Sequence, residues 1–128
     1  EMKEPETSPE MKGAQAQRRR KIMQGKLSDN VKKADVIITN PTHYSIAIQY
    51  EHGKMSAPLV VAKGADLLAM KIRELAAESK VPVVPNPPLA RALYKKCEIG
   101  DAVPRELFQA VAEVLAYVYR TLKQVRDS

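Results

Sequence analysis

The hydrophobic pattern changes character at residue 34. Residues 10–33 are polar and basic, with apolar side chains only at Met11, Ile22, Met23, Leu27, Val31 and a few alanines. That stripe is too thin to hold a helix on a core. It predicts an exposed linker helix with a fraying start, inside an arm over residues 1–33. Residues 1–9 are acidic and proline-bearing, a composition that predicts disorder. From Ala34 the chain reads as folded. Ala34-Asp35-Val36-Ile37-Ile38-Thr39 is a β-branched run stopped by Asn-Pro, and it predicts a buried strand. Tyr44 to Tyr50 alternates, with Tyr44, Ile46, Ile48 and Tyr50 on one face and Ser45, Ala47 and Gln49 on the other. After a polar loop carrying Gly53, Pro58 to Lys63 predicts a third strand closed by Gly64.

Helical spacing follows. Over residues 65–79, Leu68, Ile72, Leu75 and Ala76 share one face. Val81-Pro82-Val83-Val84 predicts a short strand, placed near a sheet edge by its proline. Pro85, Pro87 and Pro88 make a stiff turn, and Pro88 suits the first turn of a helix over Leu89 to Lys96. Pro104 opens a last helix with Leu107, Val111, Val114, Leu115, Val118 and Leu122 on its face. Strands separated by helices predict an α/β fold. The expected form is a small mixed sheet of about four strands surrounded by about four helices, with the linker helix in front. The first two strands are too close for a helical crossover, but spacing alone leaves their pairing open. The folded domain is expected over residues 34–128.

Composition narrows the function. The chain has 128 residues, 45% of them apolar, and a net charge of +6. Residues 9–33 hold eight basic side chains against two acidic ones, so that stretch of the arm carries +6 and the residues outside it sum to zero. The rest is neutral, with one Phe and no Trp. A base-stacking nucleic-acid surface needs aromatics beside its cations, so no nucleic-acid partner is expected and a basic nucleic-acid-binding module stands only as the weaker alternative to a docking module. The arm is either a solvated charged segment or one that faces an anionic membrane or a partner. Cys97 is the one cysteine, which excludes an internal disulfide and fits a reducing compartment. It reads as a small buried apolar side chain rather than a nucleophile. Cys97, His43 and His52 form no ligand motif, so neither metal nor cofactor is expected. His52 lies in a polar loop and reads as solvated. The chain opens on Glu1 with no signal-peptide pattern, and no stretch approaches the ~20 apolar residues of a membrane span. These features predict a soluble fragment of something longer.

One segment carries chemistry: Asn40-Pro41-Thr42-His43. An asparagine normally deamidates when the next backbone nitrogen attacks its side chain. Proline's tertiary nitrogen has no hydrogen, so that route is closed. The reverse attack stays open: the Asn40 side-chain nitrogen attacks its own backbone carbonyl, a succinimide forms, and Pro41 leaves as a new amino terminus. Orientation of such groups by a fold supplies roughly 7–11 kcal/mol of a barrier. The residue before proline is pushed out of the helical region, so a tight turn here stores strain that cleavage releases. His43 lies within turn distance, and an imidazole is the side chain most often used as a general base. Thr42 suits a turn hydrogen bond. Asn-Pro is also an ordinary turn starter, and from the residues alone both readings stand. Leu89, Leu93 and Tyr94 read as helix packing, while Pro87, Pro88 and Arg91 are candidate partner contacts.

Val36-Ile37-Ile38-Thr39-Asn40-Pro41-Thr42-His43-Tyr44 resembles the cleavage segment of the FlhB/YscU family of type III secretion proteins. The resemblance runs on through Met55 to Gly64, Pro88 to Tyr94 and Glu113 to Ala116, and the stretch around Met55 is similar to the flagellar branch. It implies the cytoplasmic domain of an export-gate protein whose membrane helices precede it, at the cytoplasmic face of the bacterial inner membrane. It implies single-turnover cleavage in cis between Asn40 and Pro41, not an enzyme with an external substrate. Asn40 would cyclise, Pro41 would leave and His43 would assist. The two pieces would stay associated, and the cut would switch export from rod and hook substrates to filament substrates. Implied partners are other export-gate membrane proteins, cytoplasmic export components, the exported flagellar substrates and the hook-length control protein.

Overall fold

The computed structural model describes residues 26–41 and 43–127. The elements run α1 (Leu27–Lys33), β1 (Val36–Asn40), β2 (Tyr44–Gln49), β3 (Leu59–Ala65), α2 (Leu67–Glu78), β4 (Val83–Pro85), α3 (Pro87–Lys96) and α4 (Arg105–Asp127). The sheet has the order β3-β2-β1-β4. β1 and β2 pair directly as antiparallel neighbours, and β4 lies parallel to β1 at the edge. The α/β class, the mixed sheet and the edge position of the proline-bearing strand follow the hydrophobic pattern.

The sheet is covered on both faces. Val36, Ile38, Ile46, Ile48 and Val60 pack under α3 and α4, against Leu89, Leu93, Val111, Val114, Leu115 and Val118. Ile37, Ala47 and Ala62 face α1 and α2, against Val31, Ile72, Leu75 and Ala76. Val60 and Ala62 should share a face by simple alternation. The register instead slips between Ala47 and Ile48, where Ala47 pairs with Ala62 and Ile48 with Val60. Val61 is the extra residue of this bulge, and the slip turns β3 over.

The face under α2 is built from small residues, so the helix sits close. Ser45 is buried and its hydroxyl donates to the Ala69 carbonyl at 3.0 Å. A Cβ added at Gly64 would lie 2.5 Å from Cγ of Leu68.

Four sequence expectations are corrected. The linker helix is not wholly exposed, because Val31 is fully buried against α2 and Leu27 packs beside it. Leu68 was expected inward, yet it is 37% exposed and Ala69 takes the buried place. Gly64 does not close β3, which runs on to Ala65. Tyr50 lies beyond the end of β2 and gives its N–H to the Asp35 carboxylate at 2.7 Å. The side chain of Leu122 and the arm before residue 26 lie outside the described residues.

Candidate functional site

β1 owes its rigidity to its central place. Its β-branched residues are buried on both faces, and backbone ladders hold it to β2 and β4. The last fixed point before the turn is Thr39, whose carbonyl accepts the Asn86 N–H at 2.8 Å. Asn86 in turn caps α3, its side chain accepting the Leu89 N–H at 3.4 Å. Asn40 is thus presented at the end of a clamped strand. It pairs in register with Tyr44, leaving Pro41 to His43 as the turn. Thr42, expected to hold that turn, lies outside the described residues.

The turn is closed by its own backbone. The His43 N–H donates to the Asn40 carbonyl at 2.8 Å. That carbonyl is the group an internal amide attack would convert into an oxyanion, and a donor is already aimed at it. Asn40 is half-buried, whereas Pro41 and His43 are exposed, so water reaches the bond. The far side of the turn is held by Asp66, whose N–H donates to the His43 carbonyl at 2.9 Å. The imidazole Nδ1 lies 3.8 Å from Asp66 Oδ1. Asn40, Pro41 and His43 therefore meet in one turn, and Asp66 joins them from 23 residues along the chain. Asp66 and Asn86 were not singled out from the sequence, where each reads as an ordinary residue before a helix.

Pro87, Pro88 and Arg91 are all exposed, and Leu89 and Leu93 are buried beneath them. Cys97 is buried, and burial first, then the Asp101 charge, pushes its thiol pKa up. Among the described residues, no group of three His, Cys, Asp or Glu side chains is placed to hold a metal ion. No described helix is long and apolar enough to cross a membrane.

The chain is an α/β domain that presents a clamped Asn-Pro turn. The FlhB HrpN YscU SpaS family model matches residues 1–118, and the chain belongs to that family. It is 56% identical over 120 residues to the flagellar biosynthetic protein FlhB of Salmonella typhimurium, covering 94% of this chain and 31% of that protein. It is 53% identical over 125 residues to FlhB of Bacillus subtilis, covering 98% of this chain and 35% of that protein. The chain thus spans about a third of the length of these curated relatives. Among solved structures, the cytoplasmic domain of FlhB from Shewanella putrefaciens matches with a TM-score of 0.75 and 44% identity, covering 81% of this chain and 79% of that one. A mutated C-terminal domain of EscU matches with a TM-score of 0.71 and 37% identity, covering 73% of this chain and 94% of that one.

Proposed function

We propose that this chain is the self-cleaving cytoplasmic part of a flagellar type III export-gate protein, and that the cut between Asn40 and Pro41 sets which substrates are exported. The observation that carries this reading is the clamped turn: the His43 N–H bonds to the Asn40 carbonyl at 2.8 Å at the end of a strand fixed on both sides. The Asn40 side-chain nitrogen adds to that carbonyl carbon and gives up a proton, with His43 as the base. The carbon–nitrogen bond to Pro41 then breaks, and the proton passes to the proline nitrogen. Water opens the succinimide to asparagine or its isomer.

The fold supports survival of the cut. Val36 to Thr39 stay held by β2 and β4, and Ser45 to Gln49 stay held by β1 and β3. Only the surface around residues 40–43 gains freedom, which suits a switch that changes a binding surface and leaves the domain intact. Kinship with full-length flagellar relatives supports a place at the inner membrane among other export-gate proteins, cytoplasmic export components, exported substrates and the hook-length control protein. The exposed Pro87, Pro88 and Arg91 are candidate contacts for them.

The test is the intact mass of freshly purified protein under denaturing conditions, beside a native sizing run. Two fragments meeting between Asn40 and Pro41 that co-elute natively are expected. A single uncut chain after prolonged incubation at neutral pH would overturn the cleavage reading and leave a docking module with a structural turn.

A further inference from the structure

Asp66 departs most from its local rules. Its φ of 53° and ψ of −113° match the first central position of a type II′ turn, where glycine is the usual occupant. A residue with a side chain in such a region stores about 1–3 kcal/mol of strain. Asp66 also stands at the N-cap of α2, where aspartate ordinarily accepts the helix's first N–H groups. Its carboxylate makes no such bond and instead stands 3.8 Å from His43 Nδ1. The two side chains are 66% and 80% exposed, and a contact that open to water adds little stability. A strained aspartate that neither caps its helix nor steadies the fold needs another reason to be there.

We propose that Asp66 is a positioning residue for self-cleavage, acting through His43. Its N–H holds the His43 carbonyl at 2.9 Å, and its carboxylate faces Nδ1. With the Nδ1 proton turned toward Asp66, the lone pair sits on Nε2, the nitrogen then able to take the Asn40 amide proton. An imidazole in the other tautomer would offer its lone pair to the wrong side. Asp66 Oδ1 faces the ring at 3.8 Å from Nδ1, and the Tyr44 ring centroid lies 6.4 Å away. This inference rests on Asn40–Pro41 being the bond that breaks.

The test times cleavage of the full chain during cell-free synthesis, reading the cut fraction by denaturing mass analysis. A general base contributes about 10²–10⁴-fold, and we expect Asp66→Gly to remove about tenfold of it. Glycine relieves the backbone, so the thermal midpoint should hold or rise while cleavage slows. A purely structural role would not move the two readouts apart. Asp66→Asn keeps an acceptor oxygen and should recover part of the rate. In a His43→Ala background, Asp66→Gly should cost nothing further, because the pair acts as a unit. Equal slowing in both backgrounds would overturn the proposal, as would Asp66→Gly cutting at the parental rate while His43→Ala is slow. Either result leaves self-cleavage itself standing. An uncut parental chain would overturn both.

Discussion

The rings of Tyr44 and Tyr94 stack with centroids 4.3 Å apart and planes 21° from parallel. This contact fastens the residue after the turn to α3. Lys63 reinforces it: its ammonium lies 4.7 Å from the Tyr94 centroid, donates to the Tyr94 carbonyl at 3.0 Å and approaches Glu98 at 3.6 Å. Any segment that begins at Pro41 is therefore gripped within a few residues of its start. Strand pairing and this stack together explain how a cut domain would hold together.

Tyr94→Ala should weaken that grip. It removes a stacked aromatic pair, a cation–π contact and half-buried apolar area, for a loss of about 2 kcal/mol. With a slope of about 2 kcal/mol/M, the urea midpoint should fall by about 1 M. An unchanged midpoint would mean that the stack contributes nothing measurable.

Gly64→Ala should also destabilise, for a steric reason. The added methyl would lie 2.5 Å from Leu68 Cγ and 2.9 Å from Leu68 Cβ. The second atom is tied to the helix backbone, so rotation of Leu68 alone does not clear it and α2 must shift. Overpacking of this kind costs about 1–3 kcal/mol. The thermal midpoint should drop by about 4–8 °C for each kcal/mol lost. Leu68→Ala in the same chain should restore part of the drop and not all of it.

These residues also mark where sequence reading stops. The β-branched runs and the helical spacing of Ile72, Leu75 and Ala76 were legible because local period decides them. The bulge at Val61 was not, because a register slip depends on the partner strand. Val31 looked too isolated to dock, since a thin stripe gives no sign that Ile72, Leu75 and Ala76 wait opposite it. Leu68 was misplaced because apolar spacing cannot reveal that Gly64 brings α2 so close that small Ala69 must face inward. At the site, Asn40, Pro41 and His43 were legible as neighbours in sequence. Asp66 and Asn86 were not, since each reaches the turn through a tertiary hydrogen bond. Nor does sequence announce a positive φ at an aspartate.

Cys97 should be slow to react while the domain is folded. The thiol is 1% exposed, and its pKa is raised first by burial, then by the Asp101 charge, with Lys63 and Lys96 offsetting in part. Thiolate is the reactive form, so a disulfide reagent at pH 8 should label the native protein far more slowly than the urea-unfolded one. The sign of the pH effect on stability follows. The folded state holds this proton more tightly than the unfolded state, so the contribution is fully present below the ordinary value of 9.0. It is lost as pH rises from there through the raised value. In Cys97→Ala the alkaline loss of stability should be shallower than in the parent; an equal slope would assign it to other groups.

Asn40 and Pro41 offer the sharpest separation of mechanisms, because two succinimide routes differ in which bond they break. Asn40→Ala removes the attacking nitrogen and should abolish cleavage. The fold should persist, because the pairing of residue 40 with Tyr44 is made by backbone. Pro41→Ala keeps the attacking nitrogen but supplies an N–H at position 41. That nitrogen can now attack the Asn40 side chain, releasing ammonia and leaving the chain whole. The change also relieves the steric push on Asn40 that a following proline imposes. Cleavage should therefore slow, and part of the chain should instead gain the mass of an amide-to-acid exchange at residue 40. Peptide mapping after incubation at neutral pH reads both products at once. A Pro41→Ala chain that cuts at the parental rate, with no deamidated species, would show that proline neither strains the turn nor directs the attack. The driving force would then have to lie in the backbone clamp made by His43 and Asp66.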